Sequence, residues 1–392
     1  MFTLLRNAQL FSPEDLGVVD LLIVNDQIVR IGPNLEDGPH WMDVKEFDLE
    51  SHVVIPALVD GHVHVTGGGG EAGLGSRIAP PSAAAYRAGG VGTLVGVLGT
   101  DDITRTPQSL VAWTRQLQAQ HLSAWCHTGG YHLPPVTLTG SAKSDIVWID
   151  RMIGVGEVAI SDHRSSQPTP QALRELAAEA HVAGLMTGKA GILHLHVGDG
   201  EAGLEPVRQA MAGSELPARV FNPTHLNRRK ALMEEALDLA AQGCTIDFTA
   251  FPVDDEDDAY SAAEALSLFL EGGGNPSQVT ISSDGGGCLP VFRDDGSVEY
   301  FDIGRADAMF ETLRELVCSG MALTDALPPL TSNPAKLLRL STGVVAEGTR
   351  ADLLVLDNSA ASGPALVFGM FAGRWFDSRG NEASPNRFTK DK

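Results

Sequence analysis

Cysteine is scarce in this chain. Its four residues, Cys126, Cys244, Cys288 and Cys318, are widely spaced and form no Cys-x-x-Cys pair. Neither a disulfide framework nor a zinc ribbon is indicated. No apolar run approaches the ~20 residues of a bilayer span, so no membrane is expected. The leading MFTLL segment is interrupted at Arg6 and Asn7, too early for a secretory signal. Basic residues are also few: 28 Lys and Arg stand against 50 Asp and Glu, for a net charge of −22. No basic cluster stands out, which argues against nucleic acid, because phosphate binding needs gathered Lys and Arg. The acidity is read as solubility. A reduced, soluble, cytoplasmic protein is the expectation.

With 392 residues, 43% of them hydrophobic, the chain can bury a large core and accommodate a (β/α)8 barrel with an appendage. Residues 1–53 show short strand-like runs at 18–24 and 27–31, with no helical period. The C-terminal end is similar, at 351–357, 365–368 and 374–376. Both ends are therefore predicted to build one small β-sandwich domain (1–53 and 342–392) around a catalytic barrel (54–341). Eight strand candidates alternate with helical patterns in the middle, at 53–64, 93–98, 123–128, 153–160, 192–197, 220–225, 245–250 and 279–284. The fourth is interrupted by Gly154 and Gly156. Helical segments fall at 171–183, 228–241 and 259–271. The last helix is expected to start at Pro334 with Asn333 as N-cap.

The chain is organised around Asp60-Gly61-His62-Val63-His64, at the end of the first apolar run. Strand residues two apart share a face, so His62 and His64 present two imidazoles side by side, as a metal site requires. A glycine loop, Gly67 to Gly70, and Glu71 follow. Strand five ends in His194-Leu195-His196, strand six in His225 and strand eight in Asp284. Active sites of barrels gather at the C-terminal ends of strands. One such histidine is ordinarily structural; this set points to metal. His194 could face the same way as His196 but is read as a deeper barrel residue.

Taken in order, His62-Val63-His64 with the glycine loop, Gly99-Thr100-Asp101, Thr128-Gly129-Gly130-Tyr131-His132, Ser161-Asp162-His163-Arg164, His196-Val197-Gly198-Asp199, Thr224-His225-Leu226-Asn227-Arg228 and Ser282-Ser283-Asp284-Gly285 resemble the amidohydrolase superfamily. Within it they most resemble the isoaspartyl (β-aspartyl) dipeptidase family. The resemblance implies two Zn2+ ions, one on His62 and His64, the other on His196 and His225. Asp284 would be both ligand and proton shuttle. Where that family has a carboxylated lysine bridging the metals, this sequence has Glu157, with one extra residue in the upstream spacing. Glu157 is expected to bridge the metals. A single-metal site and a solvated strand-edge Glu157 are the alternatives.

A β-aspartyl dipeptide carries one ammonium and two carboxylates. Glu71 suits the ammonium, while Arg164 and Arg228 suit the carboxylates through bidentate geometry, or else are surface ion pairs. Gly69 and Thr100 could supply backbone contacts, and Tyr131 a hydrogen bond to the oxyanion. Cys288 stands where the family has a substrate-holding serine, and a thiol is the weaker donor. The glycine run lacks the Lys-Ser/Thr of a phosphate loop. The acidic run 254–258 is read as a solvated rim loop that disfavours anionic leaving residues. Metal-dependent hydrolysis of the isopeptide bond by an activated water is the leading function. An N-acyl amino acid deacylase, a cyclic-amide hydrolase and a non-catalytic scaffold are the alternatives. The resemblance also implies a homo-oligomer.

Overall fold

The computed structural model describes residues 1–36, 43–254, 256–293, 295–360 and 362–389. Eight parallel strands run through its middle: Leu58–Val63, Val91–Gly96, Ser123–Thr128, Met152–Ile160, Leu193–Val197, Phe221–Thr224, Ile246–Thr249 and Val279–Ser282, called here strands one to eight. The first six form one curled parallel sheet, and strands seven and eight pair with each other. Side chains and single backbone bonds join the two parts. Asp247 of strand seven accepts hydrogen bonds from Thr224, Thr280 and Ser282, each at 2.6 Å. Asn227 donates to the Thr249 carbonyl and accepts from its N–H, at 2.9 and 2.8 Å, much as a neighbouring strand would. Strand eight meets strand one where Asp60 accepts from the Ser283 N–H (3.1 Å) and the Asp284 N–H donates to the His62 carbonyl (3.1 Å). The result is the barrel of a TIM-like fold with a β domain beside it.

Helices cover the barrel because their apolar faces recur at helical spacing. Pro170–Thr187 follows strand four, Leu232–Ala241 strand six and Ala262–Glu271 strand seven. The 262–271 helix starts on a Ser261/Glu264 capping box. None of the described helices is long and apolar enough to cross a membrane.

The β domain draws on both ends of the chain. Its sheet runs Arg374–Asp377, Ala365–Phe371, Leu353–Asp357, Val53–Pro56, Phe2–Phe11, Asp15–Val24 and Gln27–Gly32, with Val44–Asp48 parallel to Phe2–Phe11. Its hydrogen bonding is one continuous sheet over a core that includes Leu5, Leu21, Ile23, Val355 and Phe388.

Three expectations need correction. The run 53–64 is two strands rather than one. Val53–Pro56 pairs with residues 353–356 of the β domain, and Leu58–Val63 opens the barrel. Pro56 lacks the N–H that continuous pairing needs. The last helix is Ser332–Leu338 with Thr331 as N-cap. Asn333 lies inside it, donating to the carbonyls of Pro276 and Val279 at 2.7 and 2.8 Å. Its side chain holds the helix to strand eight rather than capping it. The glycines of strand four mark no break: Met152–Ile160 is buried throughout. A Cβ at Gly154 would lie 2.8 Å from the His127 ring, and one at Gly156 2.7 Å from the His194 carbonyl. These glycines make room for the inward histidines of strands three and five.

Candidate metal centre and its pocket

Four histidines and two carboxylates converge where strands one, four, five, six and eight end. His62 and His64 lie side by side, ring centroids 5.4 Å apart. Only glycine fits beside them at position 99, where a Cβ would come within 2.8 Å of the His64 ring. His225 and Asp284 follow their strands with positive φ, 65° and 51°, a conformation that costs energy for non-glycine residues and gathers at functional sites.

Glu157 lies at the centre, 1% exposed, which overturns the reading of it as a solvated strand-edge residue. Its Oε1 is 3.3 Å from His64 Nε2, and its Oε2 is 3.5, 3.1 and 3.7 Å from His62 Nε2, His196 Nδ1 and His225 Nε2. Asp284 Oδ1 stands 3.0 Å from His64 Nε2 and 3.5 Å from His62 Nε2. Strand four bulges next to Glu157. Between the pairs Val155–Leu193 and Val158–Leu195, strand four has two intervening residues and strand five has one. This bulge re-aims Gly156 and Glu157.

Two overlapping sets, His62/His64/Asp284 and His62/Glu157/His225, have ligand atoms close enough to hold a cation. His62 Nε2, Glu157 Oε1 and Asp284 Oδ1 are buried without a hydrogen-bond partner. Buried polar atoms are normally paired, and imidazole with carboxylate is the donor set of zinc and related ions. The residues therefore fit a metal. His196 belongs to neither set. It turns Nδ1 to Glu157 and Nε2 to Asp162, each at 3.1 Å, and its Nδ1 is 2.9 Å from the Tyr131 hydroxyl.

Electrostatics follow from this crowding. Burial alone would lower the pKa of His62 and His64, but Glu157 and Asp284 outweigh it, lifting His62 well above its usual range and His64 to about 9. Burial would raise Glu157 and Asp284, yet the surrounding histidines hold both well below the carboxylate range. His225 is pushed down to about 3 by burial and by the charges of His196 and His62, despite its contact with Glu157. Burial and the Glu157 charge raise Tyr131, so its hydroxyl stays a donor. A cation entering this site displaces the protons held by His62 and His64.

Beside the centre opens a cavity of about 290 Å³. Arg164 grips Asp162 through two bonds, 3.0 and 2.7 Å, and its Nη1 stands 3.5 Å from Glu71 Oε1. At 8% side-chain exposure, it is no surface ion pair. Glu71 Oε2 and Thr100 Oγ1 are buried and unpartnered. Arg228 pairs with Asp199 at 2.8 Å. Cys288 lines the cavity beside Glu71, and burial, with Glu71 adding to it, pushes its thiol up to about 12. The Gly69 carbonyl already accepts from Arg105 (3.2 Å). Asp254, Asp257 and Asp258 line the mouth of the cavity; Asp255 lies outside the described residues.

Sequence reasoning missed two residues of this region. Asp162 bridges Arg164 to His196, and its place in the Ser161–Arg164 motif was the available signal. Arg105 donates to the carbonyls of Thr66, Gly68, Gly69 and Ile78, clamping the glycine loop. An arginine just before a helix carries no pattern that announces this.

The amidohydrolase family profile matches residues 136–377. The structure of β-aspartyl dipeptidase from the keratin-degrading thermophile Fervidobacterium islandicum, solved with β-Asp-Leu, superposes with a TM-score of 0.92 at 37% identity, covering 98% of both chains. A second structure of that dipeptidase gives 0.88 at 35% identity, covering 98% of this chain and 99% of the other. Among curated relatives, a dihydroorotase of Lactococcus lactis is 25% identical over 91% of this chain and 90% of its own length. The chain belongs to the amidohydrolase family and is a hydrolase of that family. Within the family, its likeness is to isoaspartyl (β-aspartyl) dipeptidase.

Proposed function

We propose that this chain is a zinc-dependent isoaspartyl dipeptidase that hydrolyses the isopeptide bond of β-aspartyl dipeptides. The observation that carries the reading is the Glu71–Arg164 pair, 3.5 Å apart, facing a buried cluster of four histidines and two carboxylates. One acid and two guanidiniums match the one ammonium and two carboxylates of such a dipeptide. The β-Asp-Leu complex of the 37% identical dipeptidase supports the same substrate class.

His62, His64, Glu157, His196, His225 and Asp284 would hold two zinc ions, with Glu157 bridging. Glu157 turns Oε1 to His64 of the first expected pair and Oε2 to His196 and His225 of the second, with His62 also near Oε2. An oxygen towards each pair supports that role. When bound, zinc lowers the pKa of a coordinated water towards neutrality and polarises a carbonyl. Everything else falls to side chains. Asp284 takes the proton of the attacking water and returns it to the leaving amine. Tyr131 donates to the oxygen that gains charge at the scissile carbonyl. Glu71 anchors the ammonium, Arg164 and Arg228 the carboxylates, and Gly69 and Thr100 the peptide backbone. Cys288, beside Glu71, holds substrate less firmly than a hydroxyl would. In this reading the two end segments form the supporting domain, residues 57–341 the catalytic one, and the enzyme works as a homo-oligomer. Its first boundary moves from residue 53 to Pro56, because Val53–Pro56 pairs with residues 353–356.

Steady-state kinetics of the zinc-loaded chain on β-Asp-Leu, dihydroorotate and N-acetyl-leucine tests the reading. Efficient turnover of β-Asp-Leu alone is the expected result. Preference for dihydroorotate or N-acetyl-leucine would move the chain to a cyclic-amide hydrolase or a deacylase.

A further inference from the structure

Beneath the proposed ligands lies a polar layer that the chemistry above leaves unused. His194 and Asn222 are register partners on strands five and six, 2% and 3% exposed. Gly156, on strand four, leaves the space that the His194 residue occupies. These side chains form a single file. His62 Nδ1 lies 2.8 Å from His194 Nε2, and His194 Nδ1 lies 2.7 Å from Asn222 Oδ1. Asn222 Nδ2 donates to the Thr245 carbonyl at 2.8 Å.

The last bond sets the direction of all the others. A backbone carbonyl only accepts, so the Asn222 amide must turn its nitrogen to Thr245 and its oxygen to His194. His194 Nδ1 then donates, leaving Nε2 as the acceptor. His62 must donate from Nδ1, so the proton that an entering cation displaces is the one on Nε2, whose lone pair then faces the centre. The reverse order would hold the last proton of the ring on His62 Nε2, where no cation could bind. His62 is the residue common to both cation-binding sets, so its tautomer decides whether either can fill.

We infer that His194 and Asn222 are positioning residues that lock His62 in the metal-binding tautomer. The inference rests on the proposed reading of His62 as a metal ligand. It assigns His194 a task distinct from both ligation and packing. Outer partners of this kind typically contribute about 10–100-fold to metal affinity.

Competition titration of the full-length chain for Zn2+ against a chromophoric chelator tests it with His194→Leu, His194→Gln and Asn222→Leu. Both His194 variants remove the ring and the Asn222 contact, but only glutamine returns an acceptor to His62 Nδ1. The expected result is a loss of about 10–100-fold for H194L, with most of it recovered in H194Q. Equal losses in the two variants, or none, would overturn the inference. Should H194L not fold, by far-ultraviolet circular dichroism of the metal-free chain, N222L decides: about tenfold weaker binding supports the lock, and unchanged affinity overturns it. If the wild-type chain takes up no zinc, the metal reading fails as well. If it takes up zinc without cutting β-Asp-Leu, only the substrate reading fails, and the affinity comparison still decides the lock.

Discussion

Glu157 and Asp284 are both buried carboxylates beside the same histidines, and the proposed reading gives them different tasks, which substitution should separate. Glu157→Gln keeps the shape but removes the charge that a bridging ligand must supply. Elemental analysis should show zinc falling from about two per chain to one or fewer, with kcat down by at least about 10²-fold. Wild-type protein that saturates at one zinc would contradict the bridge. Asp284→Asn should lower kcat by about 10²–10⁴-fold while KM changes little, as loss of a proton shuttle does. A large rise in KM with kcat retained would place Asp284 in binding instead.

The titrations of the metal-free site have opposite signs. The folded pKa of His64 is raised to about 9 from an ordinary 6.5. Its contribution to stability is complete below pH 6.5 and is lost as pH rises through 9. The folded pKa of His225 is lowered to about 3 from 6.5, so the unfolded chain binds the proton more readily. That contribution is complete above pH 6.5 and is lost as pH falls towards 3. The Tm of chelator-treated protein should therefore fall on both sides of about pH 6.5. Calorimetry showing a flat Tm between pH 6.5 and 9 would contradict the His64 assignment. Zinc-loaded protein should lose the alkaline arm, because a ligating imidazole is already unprotonated.

Much of this centre was legible in the sequence, because strand alternation fixes which side chains share a face. His62 with His64, and the strand-end positions of His196, His225 and Asp284, follow from a period of two and the polarity of a barrel. The depth of His194 in the barrel was legible too, and the Ser161–Arg164 motif offered a signal for Asp162. The contacts of His194 with His62 and Asn222 were not legible, because contacts between strands depend on register rather than on local pattern.

At the scale of elements, strand four shows how a pattern that reads as broken serves packing. Gly154 and Gly156 leave space for His127 and His194, and the adjoining bulge delivers Glu157 to the centre. Gly156→Ala would place a Cβ 2.7 Å from the His194 carbonyl. It should cost about 1–3 kcal/mol, read as a lower denaturation midpoint, and should weaken zinc binding too, because the strain falls beside His194. An unchanged midpoint would mean that the neighbouring strand moves away without cost. The helix Ser332–Leu338 illustrates a different limit. An Asn-Pro pair is a strong N-cap signal, yet the backbone carbonyls of Pro276 and Val279 claim the Asn333 side chain. No local rule could weigh that tertiary demand.

At the scale of the molecule, the two ends of the chain meet in one sheet, and the strand Val53–Pro56 leads from it directly into the strand that carries His62. Only Ala57 separates the two strands in sequence, and the β-domain side chains Leu354, Leu356, Phe371 and Phe376 pack into the core of the barrel. Exposed acidic side chains, Asp254, Asp257 and Asp258, line the cavity together with Arg164 and Arg228. In the proposed reading the arginines hold the substrate carboxylates while the exposed acids disfavour a further negative charge. A dipeptide with a neutral leaving residue fits that division. The most direct test of the account is hydrolysis of β-Asp-Leu against α-Asp-Leu by the zinc-loaded chain. Cleavage of the β-linked peptide, with the α-linked one left intact, is the expected result. Equal cleavage of both, or of neither while zinc is bound, would contradict it.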